Sequence, residues 1–386
     1  VKRLKKILKW LLIILVVLNL AIIVTGRTYL YKGIWNTYLK GRTGPGIFEY
    51  EIFENRKVAA GNYQPWPIAV DYNKKEISSK YQGRFKELGT VSYVIIKNDS
   101  LRYEGYWDGG SENSATNSFS VAKTIVSILV GAAIQEGKIK SVDQHVSEFL
   151  PQFKEGDNAK LTIRHLLTMS SGINFDEDYV SPFAYPAQAY YGSDLEDLTC
   201  SYKVTEEPGR TFRYLSGNTV ILGLIIQKAT GKTISDYASE KLWKPLGAKN
   251  DAWWSLDKAD GLEKAYCCFN TNARDFARIG QLYLDSGSWK GKQIVPLDYV
   301  RESLKPADTK RANGEKNEIY GYQWWLMKHN GQNVFYARGI LGQYIIVIPE
   351  ERMVIVRLGT KRESTPGPDH PADAADYIDA AMEMYQ

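Results

Sequence analysis

Two short stretches pair a serine with a lysine three places on: Ser120-Val-Ala-Lys123 and Ser255-Leu-Asp-Lys258. A serine hydroxyl attacks only when a base takes its proton, and a neutral amine can be that base. Both stretches use common residues, so spacing alone does not separate them. Context does. Lys123 opens a long, mostly apolar run that ends at Gly137, which reads as a buried helix with a glycine stop. Residues three apart share one helix face, so the Ser120 hydroxyl is expected beside the Lys123 amine. Burial at the foot of an apolar helix disfavours an ammonium. The free N–H groups of a helix start favour an anion. Lys258 is followed by Ala-Asp-Gly, a loop, and is expected to be a solvated surface charge.

Two further stretches could complete the chemistry. Phe212-Arg-Tyr214-Leu-Ser216-Gly-Asn218 reads as a loop entering a helix, so Tyr214 can point into a cleft and share a proton with Ser120 and Lys123. Tyr336-Ala-Arg-Gly339-Ile340 reads as a strand end. A glycine there lets a substrate approach the backbone closely, and the Ile340 N–H, with that of Ser120, can then donate to an oxyanion. Other chemistries lack their patterns. There is no Gly-x-Ser-x-Gly, His-Glu-x-x-His or Gly-x-Gly-x-x-Gly. Ala229-Thr-Gly-Lys-Thr233 lacks the upstream glycine of a phosphate loop and reads as a helix stop. His145, His165, His329 and His370 are scattered and no Cys-x-x-Cys occurs, so no metal or organic cofactor is expected. Cys267 and Cys268 are adjacent and are not expected to bridge each other, while Cys200 stands alone.

These residues need elements to hold them. Val91–Lys97 and Leu101–Trp107 read as a hairpin across Asn98-Asp99-Ser100. Strands return at 334–338, 343–348 and 353–358, and an Ala-rich helix closes the chain at 372–384. The middle is helical, including 161–169 and 218–230. The expected fold class is α/β, of the α+β kind. An antiparallel sheet drawn from both ends of the chain is flanked by helices, beside an all-helical lobe.

The chain has 386 residues, 44% of them hydrophobic, which is a globular composition. Its net charge of +5 is matched by Lys2, Arg3, Lys5, Lys6 and Lys9, so the body is balanced and no nucleic-acid partner is expected. After that cluster, residues 7–24 are nearly all apolar and as a helix span roughly 27 Å, close to a bilayer's hydrocarbon core. Residues 1–26 are therefore expected to be a membrane anchor, or a signal peptide cleaved near Val24-Thr25-Gly26. Either places the body outside the cytoplasm, at the cell membrane or secreted to the exterior or periplasm. Residues 27–84 carry Gly and Pro loop signals and are expected to wrap the body below the anchor. Residues 85–386 form the remaining domain.

Ser-x-x-Lys, then Tyr-x-Ser, then a strand ending in a glycine motif, in this order, resembles the serine beta-lactamase and penicillin-binding-protein superfamily. The text SFSVAKTIVSILVGAAIQEGKI, HLLTMSSGINFDEDY, YLSGNTVILGLIIQKATGK, CCFNTNARDFARIGQLYL and Tyr320-Gly-Tyr-Gln-Trp-Trp325 looks like its class C-like branch. Within that branch it looks like 6-aminohexanoate-dimer hydrolase and related esterases. The resemblance implies hydrolysis of a small amide or ester through an acyl-enzyme. Ser120 would be the nucleophile, Lys123 and Tyr214 the proton carriers, and the Ser120 and Ile340 N–H groups the oxyanion hole. Tyr179 and Ser216 would touch substrate. Ser216 stands where lactamases of this branch carry Asn, and Ala337-Arg338-Gly339 where they carry Lys-Thr-Gly. These departures weaken the case for lactam hydrolysis; the alternatives of the same class are a class C-like beta-lactamase and a D-Ala-D-Ala carboxypeptidase. If position 337 faces the cleft, Arg338 points away from it. A reading of another class keeps the fold as a non-catalytic binding or sensor module.

Overall fold

Nearly continuous apolar runs at both ends of the chain build one sheet buried on both faces. In the computed structural model, which describes residues 1–363 and 370–385, β1 (Thr90–Lys97) and β2 (Ser100–Tyr106) form the N-terminal hairpin. Its turn residues Asn98 and Asp99 have φ of 49° and 63°, as the tight turn between right-twisted strands requires. From the far end come β3 (Trp325–His329), β4 (Gln332–Gly339), β5 (Gln343–Ile348) and β6 (Met353–Gly359). The order across the sheet is β2-β1-β6-β5-β4-β3, with every pairing antiparallel. The two chain ends meet at β1 and β6, where Ile95 faces Ile355 and Val94 faces Val356.

N-terminal to the sheet, α1 (Lys2–Val24) has no buried residue and is the one described helix long and apolar enough to cross a membrane. It fits an anchor or a signal peptide. The loop signals after it conceal ordered structure: α2 (Tyr29–Asn36), a 3-10 turn at Tyr38–Lys40, and a strand at Asn55–Val58. That strand edges a second antiparallel sheet, ordered Asn55–Val58, Ala252–Ser255, Phe269–Thr271, Thr116–Asn117.

Three long helices pack around the main sheet's neighbourhood: α3 (Val121–Gln135), α4 (Ser216–Thr230) and α5 (Ala273–Leu284). α5 lies on β5 and β6, α3 touches β4 and β5, and α4 packs on α3. The opposite face is covered by α6 (Ala372–Tyr385) and a helix at Ser79–Glu87. The strands therefore feed two cores by alternate residues. Ile345, Val347, Val354 and Val356 enter the core under α3 and α5. Tyr344, Ile346, Ile355 and Met353 enter the one under α6. α3 is apolar all round because it is buried all round, with Val121 to Ala133 inaccessible throughout.

Candidate active site

Ser120 is the N-cap residue of α3, and Lys123 lies one turn along it. The Lys123 ammonium nitrogen is buried at the helix foot and donates to Ser120 Oγ at 2.9 Å. Its other partner is the carbonyl of Tyr266, at 3.0 Å. The second sheet brings these distant segments together. Thr116 and Asn117 pair with Thr271 and Asn270, and the Ser118 N–H donates to the Phe269 carbonyl. One strand thus leads into Ser120 while the other follows directly on Tyr266. Between them Phe119 holds φ at 44°, a left-handed conformation a bulky side chain rarely adopts. Such strain survives only where surrounding structure enforces it, and it turns the chain sharply into α3.

Tyr214 lies beside the pair, with Lys123 Nζ 5.0 Å from its ring centroid. Trp325 and Tyr320 hold that ring at centroid distances of 5.4 and 6.0 Å. Gly339 has to be glycine: a Cβ there would stand 2.4 Å from the Ser118 carbonyl oxygen. The close approach carries Ile340 to the same cavity that Ser120 lines. Ser216 is the first residue of α4 and is buried. Its N–H donates to Glu177 Oε2 at 2.8 Å, and its hydroxyl donates to Glu177 Oε1. The Tyr179 hydroxyl donates to the same carboxylate at 2.8 Å and lies 3.4 Å from Ser216 Oγ. The Tyr179 ring is 53% exposed, but its hydroxyl is the inner end. Burial of that end, with the Glu177 charge, pushes the phenol well above its ordinary range.

Ser120, Tyr179, Tyr214, Gly339 and Ile340 all line one cavity of about 980 Å³. These five residues singled out from sequence therefore fall in one neighbourhood, with Lys123 and Ser216 just behind the wall. Sequence reasoning missed Glu177, which sits in the acidic run before Tyr179, and it missed the Tyr266 carbonyl. It also missed that α2 and the turn after it form one wall of the cavity, through Leu30, Ile34 and Tyr38.

One reading needs correction, and one conditional is decided. Cys267 and Cys268 are bridged to each other. Their Cα atoms are only 3.8 Å apart, below the usual disulfide window, which is why adjacency argued against a bond. Cys268 takes φ of 66°, and this left-handed turn supplies the backbone rotation that adjacency lacks. Second, Arg338 and not Ala337 lines the cavity. Ala337 alternates into the core under α3, so Arg338 falls on the other face, where its guanidinium lies 3.6 Å from the Trp325 ring centroid.

The family model for beta-lactamases matches residues 81–380. The chain belongs to the beta-lactamase family. As a member of this serine beta-lactamase and penicillin-binding-protein superfamily it is a serine hydrolase by class, and its sheet and helices are the beta-lactamase-like fold. Among relatives, it is 29% identical over 303 residues to the 6-aminohexanoate-dimer hydrolase of Paenarthrobacter ureafaciens, covering 74% of this chain and 75% of that one. A Bacillus anthracis structure, named as a candidate 6-aminohexanoate-dimer hydrolase, superposes with a TM-score of 0.74 at 24% identity, over 88% of this chain and 92% of that one. A family VIII carboxylesterase superposes with a TM-score of 0.64 at 17% identity, over 83% and 99%. The last two likenesses are of fold. The helix start at Ser120 and the strand end at Gly339 both border the cavity.

Proposed function

We propose that this protein cleaves amide or ester bonds through an acyl-enzyme on Ser120, acting outside the cytoplasm and held at the membrane by α1. One observation carries the reading: a buried lysine amine 2.9 Å from a serine hydroxyl that opens into a large cavity. The amine, in its neutral form, takes the Ser120 proton as Oγ attacks the carbonyl carbon. The Ser120 and Ile340 N–H groups hold the resulting oxyanion. Lys123 and Tyr214 return the proton to the leaving nitrogen or oxygen, and the C–N or C–O bond breaks. Water, activated by the same pair, then frees the acid. Tyr179 and Ser216, joined through Glu177, shape the wall that meets the substrate. No metal or organic cofactor takes part in these steps. The likeness to a 6-aminohexanoate-dimer hydrolase supports an amide or ester over a lactam.

The guanidinium of Arg338 in the cavity favours a second reading, in which a substrate carboxylate docks there, as in a lactam or a D-Ala-D-Ala peptide. Its stacking on Trp325 and the short Ser216 side chain argue against it. The test is kcat/KM for a short-chain nitrophenyl ester against that for nitrocefin on one preparation. The ester is expected to lead by about tenfold or more, the worth of one or two lost charged hydrogen bonds. Nitrocefin turnover equal to the ester's would promote the second reading.

A further inference from the structure

The wall that α2 contributes to the cavity has another side. Leu30, Ile34 and Tyr38, spaced four apart, face the cavity that holds Ser120. Tyr31 and Trp35 follow the first two by one residue on α2, and Leu39 follows Tyr38 in the 3-10 turn beyond it, so the three continue one exposed stripe. That stripe is open: Trp35 is 66% exposed and Leu39 67%. Three contacts fix α2 in place. The Tyr29 hydroxyl donates to the Pro182 carbonyl at 3.0 Å, Gly33 packs against the Tyr191 ring, and the Tyr31 hydroxyl donates to Asn19 Oδ1 of α1 at 2.8 Å. An aromatic and aliphatic stripe at the rim of a cavity, left bare by a fixed helix, calls for a partner.

The chain itself indicates which partner. Only residues 25–28 separate α2 from the end of α1, a reach of at most ~14 Å. If α1 spans a bilayer, α2 begins in the headgroup layer. Trp and Tyr are the residues enriched at that depth. The charge fits too: residues 25–48 hold Arg27, Lys32, Lys40 and Arg42 and no Asp or Glu. Glu49 pairs with Lys40 and Arg42, while Arg27 lies over the Phe183 ring and Lys32 over the Phe53 ring, so the segment keeps a net positive charge. A segment of this kind suits anionic phospholipid.

We propose that the Tyr31–Trp35–Leu39 stripe rests in the headgroup layer of an anionic phospholipid bilayer, so that the cavity opens at the membrane surface. The substrate is then an amphiphile, a long-chain ester or amide that passes from the bilayer along Ile34 and Tyr38 to Ser120. This substrate route rests on the reading of Ser120 as nucleophile. The covalent step is the hydrolysis already described, with water as the only co-reactant and acid plus alcohol or amine as products.

The test uses the full chain in nanodiscs of phosphatidylcholine with phosphatidylglycerol. Lipids brominated near the headgroup should quench the emission that Trp35→Phe removes by about twofold or more. Emission from Trp35 that ignores the bromine overturns the docking. In unbrominated discs, Trp35→Glu with Leu39→Glu should lower kcat/KM for a dodecanoyl umbelliferyl ester by about tenfold while the acetyl ester is unchanged. Equal effects on both esters, or none on the long one, overturn the route. A fluorophosphonate applied to the same discs separates the two layers of the argument. An unmodified Ser120 contradicts the hydrolase reading and the route with it, and bromine quenching still decides the docking.

Discussion

The chain writes Ser-x-x-Lys twice and folds it two ways. At Ser120 the pattern starts a buried helix, so the two side chains share a face and meet at 2.9 Å. At Ser255 it ends a strand of the second sheet. There the serine is buried and its hydroxyl donates to Asn55 Oδ1, while Lys258 turns outward to Asp194 at 3.0 Å. The paired residue types are identical and their surroundings are not. Three residues along a helix return nearly to the same direction, whereas a strand running into a turn sends them apart. The Lys264 backbone N–H donates to the Ser255 carbonyl, while its Nζ donates to the Leu256 carbonyl at 2.8 Å. A Ser-x-x-Lys pattern thus brings its two side chains together only through the element that carries it.

The largest expected effect separates the two serines. Ser120→Ala should cut kcat/KM on a nitrophenyl ester by about 10⁴-fold or more, to background. An enzyme still turning over at a tenth of its rate would break the comparison. Next come the proton carriers. Lys123→Ala and Tyr214→Phe should each cost about 10²- to 10⁴-fold in kcat, and the double variant should be little worse than the poorer single one. Additive losses would mean that the two side chains act on separate steps.

A third outcome concerns the buried lysine that has no serine to activate. Burial pushes the Lys264 ammonium from its usual value near 10.5 down to about 7, and nearby Lys32 adds to the effect. Between those values the unfolded chain holds a proton that the folded one does not, so stability rises with pH. Wild type should gain on the order of 2–3 kcal/mol from pH 7 to 9 in urea unfolding relative to Lys264→Met. Parallel curves for the two proteins would refute a neutral Lys264. The smallest effect belongs to the second pattern's own lysine. Lys258→Ala should leave kcat/KM within about twofold, because an exposed ion pair contributes little.

What the sequence disclosed follows from range. The hairpin at 90–106, the C-terminal strands and α3 are written in local alternation and helix period, and each is visible in its own ten or twenty residues. Ser120 and Lys123 are legible for the same reason. Glu177 and the Tyr266 carbonyl are not. Glu177 meets Ser216 across 39 residues, and Tyr266 meets Lys123 across 143, contacts that only the assembled fold creates. The choice between Ala337 and Arg338 stayed open because period two fixes that neighbours oppose each other but not which of them faces the cleft. Residues 27–70 read as loop because Gly41-Arg-Thr-Gly-Pro-Gly46 and Pro65-Trp-Pro67 punctuate them. Their order comes from packing on the body and not from local propensity.

The central claim is that Ser120, activated by Lys123, is the one serine that forms an acyl-enzyme. Fluorophosphonate treatment of the full chain, followed by intact mass and peptide mapping, tests it most directly. The account predicts a single adduct on Ser120, none in Ser120→Ala, and labelling slowed by about 10²-fold or more in Lys123→Ala. A wild-type chain that takes no adduct, or takes it on Ser255, would contradict the account.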